Sequence, residues 1–460
     1  MLNKTSNTLI LSVLAVFFIV IAPNWLAEGM FMDGLIYSSI SLNMATGQCS
    51  FWEPSFTKTF ITNFDGHPPL SFWLESWFFK WFNLHPVSER IYAMIMYLGS
   101  FGMMHLIWKK LLPERINGFW LALLFFVLFP LIGWSVSNGL IENTLMFFTL
   151  GAVYFLVLSV DQNRLYLLLG GLFIFLATLT KGPVGLFPLG FYMAYQLAFP
   201  STQWMKTIGR TVALIASVVL CYVVLFVSSD QALSSLQQYF QKQIVESAAE
   251  VQVVDHRFVI IGKLLQELIA AASLTLVLFI VQKTTQRKQL VQWSSTSSLF
   301  LIVGLMASLP IMITLKQRGF YLIPSLPYFA LFFGSLIHVP IVNWNKWLKP
   351  VAVVLSIVAI GLNSYFFGEI NRDKEKLEDV IALRNDVAPG DFLGMSKDLF
   401  SDWSGHGYFY RYNQVSLDGT LKRPHQYLIT RRGGKVPEGY QLKTSLKYYD
   451  LFEKKTVNPQ

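Results

Sequence analysis

The chain has 460 residues, 53% of them hydrophobic and only 14% charged, with 13 Trp. About 25% charged is usual for a soluble domain, so this composition excludes a water-soluble globular protein and indicates an integral membrane protein. The formal net charge of +9 does not point to nucleic acid, because the excess lies in short loops rather than on one basic face.

Apolar runs long enough to cross a bilayer fall at about 8–27, 90–108, 117–134, 139–160, 165–180, 184–199, 211–228, 259–281, 294–313, 320–338 and 350–367. They predict an α-helical polytopic fold with about eleven transmembrane helices. Between the fifth and sixth runs stands Lys181-Gly182-Pro183. A Gly-Pro step breaks a helical ladder, so 165–199 is read as two spans. With the N-terminus in the cytoplasm, twelve Lys and Arg residues lie in inner loops, Arg287 and Lys288 among them. Only Lys181, Lys316 and Arg318 lie in short outer turns. This positive-inside bias predicts a multi-pass membrane protein with its N-terminus in the cytoplasm and its C-terminus outside.

Two long outer segments follow. The first, about 28–89, reads as a polar loop opened by Asp33 and containing DGHPPLSFW at 65–73. The second, about 229–258, reads as an amphipathic surface helix with Leu233, Leu236, Tyr239 and Phe240 at helical spacing. It either rests on the membrane or covers a site.

From residue 368 the composition changes: 28 of the 63 charged side chains fall in the last 93 residues, 15 basic and 13 acidic. The chain therefore divides into a transmembrane domain, 1–367, and a small extracytoplasmic α/β domain, 368–460. In the latter, 371–386 reads as a helix with Leu377, Val380, Ile381 and Arg384 on one stripe. Segments 391–396, 407–412, 426–430 and 440–452 read as strands between Pro and Gly turns. The two cysteines, Cys49 and Cys221, have no metal-type spacing and no expectation of pairing.

The residues that carry chemistry gather on the outer side. Asp33, Asp65 and His67 lie in the first outer segment, Glu142 starts the fourth span, Lys181 ends the fifth, and Lys316 and Arg318 share one outer turn. Each has a plainer account: Asp33 as a solvated loop acid, Glu142 stabilising a helix start capped by Asn138, Lys181 and Arg318 as snorkelling anchors, His67 as a turn former. Together, two carboxylates and several cations suit group transfer from a lipid phosphate. Lys181, Lys316, Arg318 or His67 would hold the leaving phosphate, and a carboxylate would take the proton of an incoming hydroxyl or amine. Asp33, His67 and Glu142 are also divalent-metal ligand types, although no spacing specifies a site. No other cofactor is indicated.

Several motifs, in order along the membrane region, resemble the GT-C glycosyltransferases. They are Asp33 with Tyr37 and Asn43-Met44, His67-Pro68-Pro69-Leu70, Glu142-Asn143, Thr180-Lys181-Gly182-Pro183, and Tyr321-Leu322-Ile323-Pro324 with Pro327. The chain is similar in particular to bacterial relatives of protein O-mannosyltransferases and to aminoarabinose transferases. That resemblance implies inverting transfer of a hexosyl or pentosyl group from a polyprenyl-phosphate donor, with Asp33 as base, Glu142 as a second acid and Lys181 near the donor phosphate. Tyr37, Asp65 and Tyr321 are expected to contact substrate. Two departures stand out: Gly34 occupies the place where many relatives have a second acid, and His67 replaces the Lys of a Lys-Pro-Pro pattern. The expected acceptor is a lipid, glycan or protein. The alternative reading is a transporter or flippase of a lipid-linked saccharide, for which paired inverted repeats would be expected; none is visible.

Overall fold

The computed structural model describes residues 3–83, 85–161, 163–201, 203–246, 252–285, 290–338, 345–420 and 425–455. Arg287 and Lys288 lie outside the described residues. The chain divides into two compact units: the first is Met1–Trp25, Asp65–Ser71 and Ala93–Tyr365, and the second is Leu26–Phe64, Phe72–Tyr92 and Phe366–Gln460.

The first unit is a bundle of long apolar helices. In hydrocarbon every backbone polar group must be satisfied within the segment, which leaves the helix as the form these runs can take. Among the described residues nine helices are long and apolar enough to cross a membrane, or up to ten if a bent pair counts as one span. The bent pair covers 113–137: α5 (Phe119–Leu128), with the short helical turn before it, and α6 (Pro130–Ser137) meet at 68°. Pro130 lacks the N–H that would continue the ladder. The next N–H, that of Leu131, donates to Glu267 Oε2 at 3.2 Å, so a carboxylate from the helix Val259–Thr285 holds the positive end of α6.

By length and composition 165–198 passes as one 34-residue candidate. The backbone shows a reversal within it. Helix α8 (Leu165–Lys181) ends at Gly182, whose φ is +64°. A Cβ on Gly185 would lie 2.6 Å from the carbonyl carbon of Ala177. Residues eight apart in a continuous helix are about 12 Å apart, so 182–190 doubles back on α8 before α9 (Phe191–Ala198). The expected pair of spans is present as a helix and a returning 3-10/α segment.

The expected amphipathic segment is helical over α11 (Asp230–Tyr239), with Ser229 as its N-cap accepting from the Ala232 N–H at 3.2 Å. It continues as a π-helical stretch over Phe240–Glu246. Its buried side is Ala232 and Tyr239, whereas Leu233 and Phe240 face outward, so the expected stripe is only partly the packed one.

The second unit takes in the tail expected from residue 368 and adds two stretches of the first outer segment. Its five-stranded sheet has the order β2-β1-β3-β5-β4, with β1 (Phe392–Met395), β2 (Ser416–Asp418), β3 (Tyr427–Arg431), β4 (Tyr440–Ser445) and β5 (Tyr449–Lys454). Pairings β1–β2 and β1–β3 are parallel; β3–β5 and β4–β5 are antiparallel. Helix α16 (Lys374–Ala382) begins after Asp373, at φ +50°, and buries Leu377 and Val380 with the following Leu383, leaving Ile381 and Arg384 exposed.

Two expectations are corrected here. Segment 407–412 is not a strand but the centre of helix α17 (Trp403–Asn413), capped by Asp402 Oδ1 accepting from the Gly405 N–H at 3.1 Å. The alternation of Tyr408, Tyr410 and Tyr412 imitates a strand because the helix is enclosed nearly all round, so no polar face marks its period. Asp33 also does not open a loop. It lies in the first turn of α2 (Met32–Thr46), and a second helix, α3 (Leu70–Trp81), follows. Every α2 side chain from Gly34 to Met44 is buried, which erases the amphipathic signal in the same way.

Candidate active site

The N-terminal end of α7 (Glu142–Asp161) and the C-terminal end of α8 carry the central pair of the first unit. Glu142 is 1% exposed and Lys181 5%. Glu142 Oε1 accepts from Lys181 Nζ in a buried ion pair, while Oε2 accepts no hydrogen bond among the described residues. Lys181 is therefore not a snorkelling anchor. Its ammonium lies 4.6 Å from the Tyr321 ring centre and 5.5 Å from that of Phe320, within cation–π range. Trp134 of α6 packs on Phe320 at 5.8 Å.

Local backbone explains how the pair forms. Asn138 closes α6, its side-chain amide donating to Trp134 O at 2.8 Å. Asn143 then ties α6 to α7, accepting from Ser135 Oγ at 3.0 Å and donating to Ser135 O at 3.1 Å. After Lys181, Gly182 provides the left-handed turn, and a Cβ there would also lie 2.1 Å from the Tyr239 hydroxyl. Only a glycine lets that phenol close against the turn.

Glu142 and Lys181 line a cavity of about 800 Å³ together with His67, Lys316, Tyr321, Tyr239 and Gln243; much of its remaining wall is apolar, including Leu145, Phe187 and Met306. Enclosure by protein, then the charges of Lys181 and Lys316, push the His67 pKa well below the ordinary histidine range, so it is neutral at pH 7. Lys316 donates to Gln243 Oε1 at 3.0 Å. Partial burial, then Lys181 and Arg318, lower its pKa below the usual lysine value. Gln317, fully buried between Lys316 and Arg318, pins the turn: its Oε1 accepts from the Ile260 N–H at 3.0 Å and its Nε2 donates to Arg257 O at 2.8 Å.

Of the residues singled out in the sequence, the fold brings His67, Glu142, Lys181, Lys316 and Tyr321 to one cavity. Arg318 is exposed and outside the cavity lining, because the pinned turn sends adjacent side chains apart. Asp65 is also outside the lining and forms an ion pair with Lys242 of the π-helical stretch. Asp33 and Tyr37 belong to the second unit. Asp33 is half-buried in the first turn of α2, and Tyr37, 4% exposed, packs on Phe72 with ring centres 5.6 Å apart. Among the described residues no three His, Cys, Asp or Glu side chains converge to hold a metal ion; Asp33, His67 and Glu142 do not fit as such a set, and Glu142 is engaged by Lys181. Tyr239 and Gln243 were not foreseen as site residues. Only the period of the outer segment hinted that Tyr239 turns inward.

Residues 66–227 match the family described as dolichyl-phosphate-mannose-protein mannosyltransferase. No curated protein sequence matches the chain. The structure is similar to ArnT from Cupriavidus metallidurans bound to undecaprenyl phosphate, with TM-score 0.69, 12% identity and 100% coverage of both chains. The apo state of that protein gives TM-score 0.67 at 12% identity, covering 96% of this chain and 97% of the other. The protein is thus a multi-pass membrane protein with the GT-C fold and a small C-terminal sheet domain, and over residues 66–227 it resembles the protein mannosyltransferases.

Proposed function

We propose that the protein is an inverting glycosyltransferase that moves a hexosyl or pentosyl group from a polyprenyl-phosphate carrier to a lipid, glycan or protein acceptor, on the outer face of a bacterial cytoplasmic membrane. The observation that carries this reading is the cavity in which a buried Glu142–Lys181 pair and Lys316 stand against an apolar wall. The cations suit a phosphate, and the apolar wall suits the first isoprene units.

In this reading Lys316 and Lys181 hold the donor phosphate, and neutral His67 contributes through its ring nitrogens without adding charge. Glu142 orients Lys181 with one oxygen and keeps the other for a sugar hydroxyl. The acceptor oxygen or nitrogen attacks the anomeric carbon as the bond from that carbon to the phosphate oxygen breaks. The electron pair leaves with the polyprenyl phosphate, whose growing charge the cations stabilise, and the acceptor proton passes to a carboxylate base, the role that the family resemblance gives to Asp33. The phosphate is stable as an anion, so no separate acid is needed. Asp65 and Tyr37 support neighbouring structure in this scheme, through Lys242 and Phe72 respectively.

Mass spectrometry of lipids retained by gently purified protein tests the donor class. A polyprenyl phosphate or its glycoside is the expected species, lost in a Glu142→Leu/Lys181→Met double variant. Retention of bulk phospholipids alone would count against the proposal.

A further inference from the structure

A segment of the tail whose secondary structure the sequence disguises is closely engaged with the stretch that bears Asp33. Along α17, Tyr408, Tyr410 and Arg411 are 0%, 2% and 3% exposed. A helix with that many buried hydroxyl and guanidinium groups must satisfy them internally. The Tyr408 hydroxyl accepts from the Met30 N–H at 3.3 Å and donates to Asp373 Oδ2 at 2.8 Å. The Tyr410 hydroxyl donates to Asn43 Oδ1 and lies 2.9 Å from Gln48 Oε1. The Tyr412 hydroxyl donates to Glu28. Arg411 pairs with Glu89 at 3.0 Å, with its guanidinium 4.5 Å from the Phe79 ring centre.

These contacts bracket α2. Met30 precedes its first turn, and Asn43 lies in its last, where the Asn43 amide in turn donates to Ser55 O at 2.7 Å. Between them Gly407 lies so close that a Cβ on it would be 2.8 Å from Leu35 Cβ. Leu35 is two residues from Asp33. The near atom is the stem of the side chain, so no rotamer change relieves the contact and a backbone has to move. Glycine at 407 is thus required by the separation of α17 from the helix that bears Asp33.

We propose that α17 is a positioning element for the transfer reaction, and that Gly407 and Tyr410 set the placement of α2 and thereby of the Asp33 carboxylate. This rests on the reading of Asp33 as the base. The tail then belongs to the catalytic apparatus through position rather than contact. A displacement of about 1 Å in a reacting group typically costs up to 10²-fold in rate.

The test uses full-length protein in detergent, with a panel of undecaprenyl-phosphate hexosyl and pentosyl donors, taking whichever the wild type consumes. Single-turnover rates are measured beside undecaprenyl phosphate binding for Gly407→Ala, Tyr410→Phe, Asp33→Asn and the two doubles containing Asp33→Asn. Gly407→Ala should bind undecaprenyl phosphate normally yet react roughly 10- to 100-fold more slowly. Tyr410→Phe, which keeps the ring and removes only the hydroxyl, should lose a fewfold and carries the test if Gly407→Ala does not fold. Neither should slow the Asp33→Asn protein further, because the group they position is already gone. Normal rates in both folded variants, or the same loss in the Asp33→Asn background, would overturn the positioning role. Asp33→Asn at the wild-type rate would instead remove the base reading alone, and a wild type inactive with the whole panel would remove the donor reading.

Discussion

Glu142 and Lys181, 39 residues apart in sequence, meet as a buried ion pair at the start of one membrane helix and the end of the next. Removing one partner strands a charge, whereas removing both does not. Breaking such a pair costs about 3–5 kcal/mol, and replacing it with apolar groups of similar size is often neutral. Glu142→Leu and Lys181→Met should therefore each lower the melting temperature in detergent. The Glu142→Leu/Lys181→Met double variant should recover most of that loss while still failing to bind undecaprenyl phosphate. Equal instability in the single and double variants would show that the pair is not coupled in this way.

Lys316 and Arg318 are separated by one residue but differ in exposure and direction, because buried Gln317 fixes the turn between them. Lys316→Ala should weaken undecaprenyl phosphate binding roughly 10- to 100-fold, the size of one lost charge-assisted contact of about 1.5–3 kcal/mol. Arg318→Ala should stay within about twofold, as expected for an exposed charge outside the cavity. The lysine pKa is lowered, so its charge is lost earlier than usual as pH rises. Binding should fade below pH 10.5, and Lys316→Arg should extend it upward. A binding curve flat to pH 10.5 in the wild type would contradict this.

Glu75 of α3 is 2% exposed and accepts from Ser41 Oγ of α2 at 2.9 Å. Burial, then the neighbouring Glu89 charge, raises its pKa to about 8. The folded protein therefore binds a proton that the unfolded chain, near pKa 4.5, releases. Between those values the native state holds more protons, so stability falls as pH rises from about 4.5 to about 8 and then levels off. Glu75→Gln, neutral throughout, should flatten that slope and be more stable than the wild type at pH 8.5. Thermal unfolding across this range checks it, and parallel curves for the two proteins would refute the assignment.

How far the sequence could be read depended on whether a residue's surroundings were uniform. The spans were legible because crossing hydrocarbon requires about 20 apolar residues whatever the neighbours, and even the reversal at Gly182 announced itself through Gly-Pro. Helices α2 and α17 were not legible. Both are enclosed nearly all round, so no polar face betrayed their period, and three tyrosines at alternate positions imitated a strand. In the cavity, the identities of His67, Glu142, Lys181 and Lys316 followed from charge at the ends of spans. Their partners did not. That Lys181 would turn inward to Glu142, that Gln243 would meet Lys316 and that Arg318 would face away depend on turns fixed by Gly182, the π-helical stretch and Gln317.

The central claim is that this fold transfers a sugar with Asp33 as the proton acceptor, and the most direct measurement is single-turnover transfer by Asp33→Asn beside undecaprenyl phosphate binding in the same preparation. The amide keeps the shape and much of the hydrogen bonding of the first turn of α2 but cannot act as the base. The account predicts a fall of roughly 10²–10⁴-fold in transfer, the usual contribution of a general base, with binding nearly unchanged. Transfer at close to the wild-type rate would contradict it and move the role of base to Glu142, whose second carboxylate oxygen accepts no hydrogen bond among the described residues.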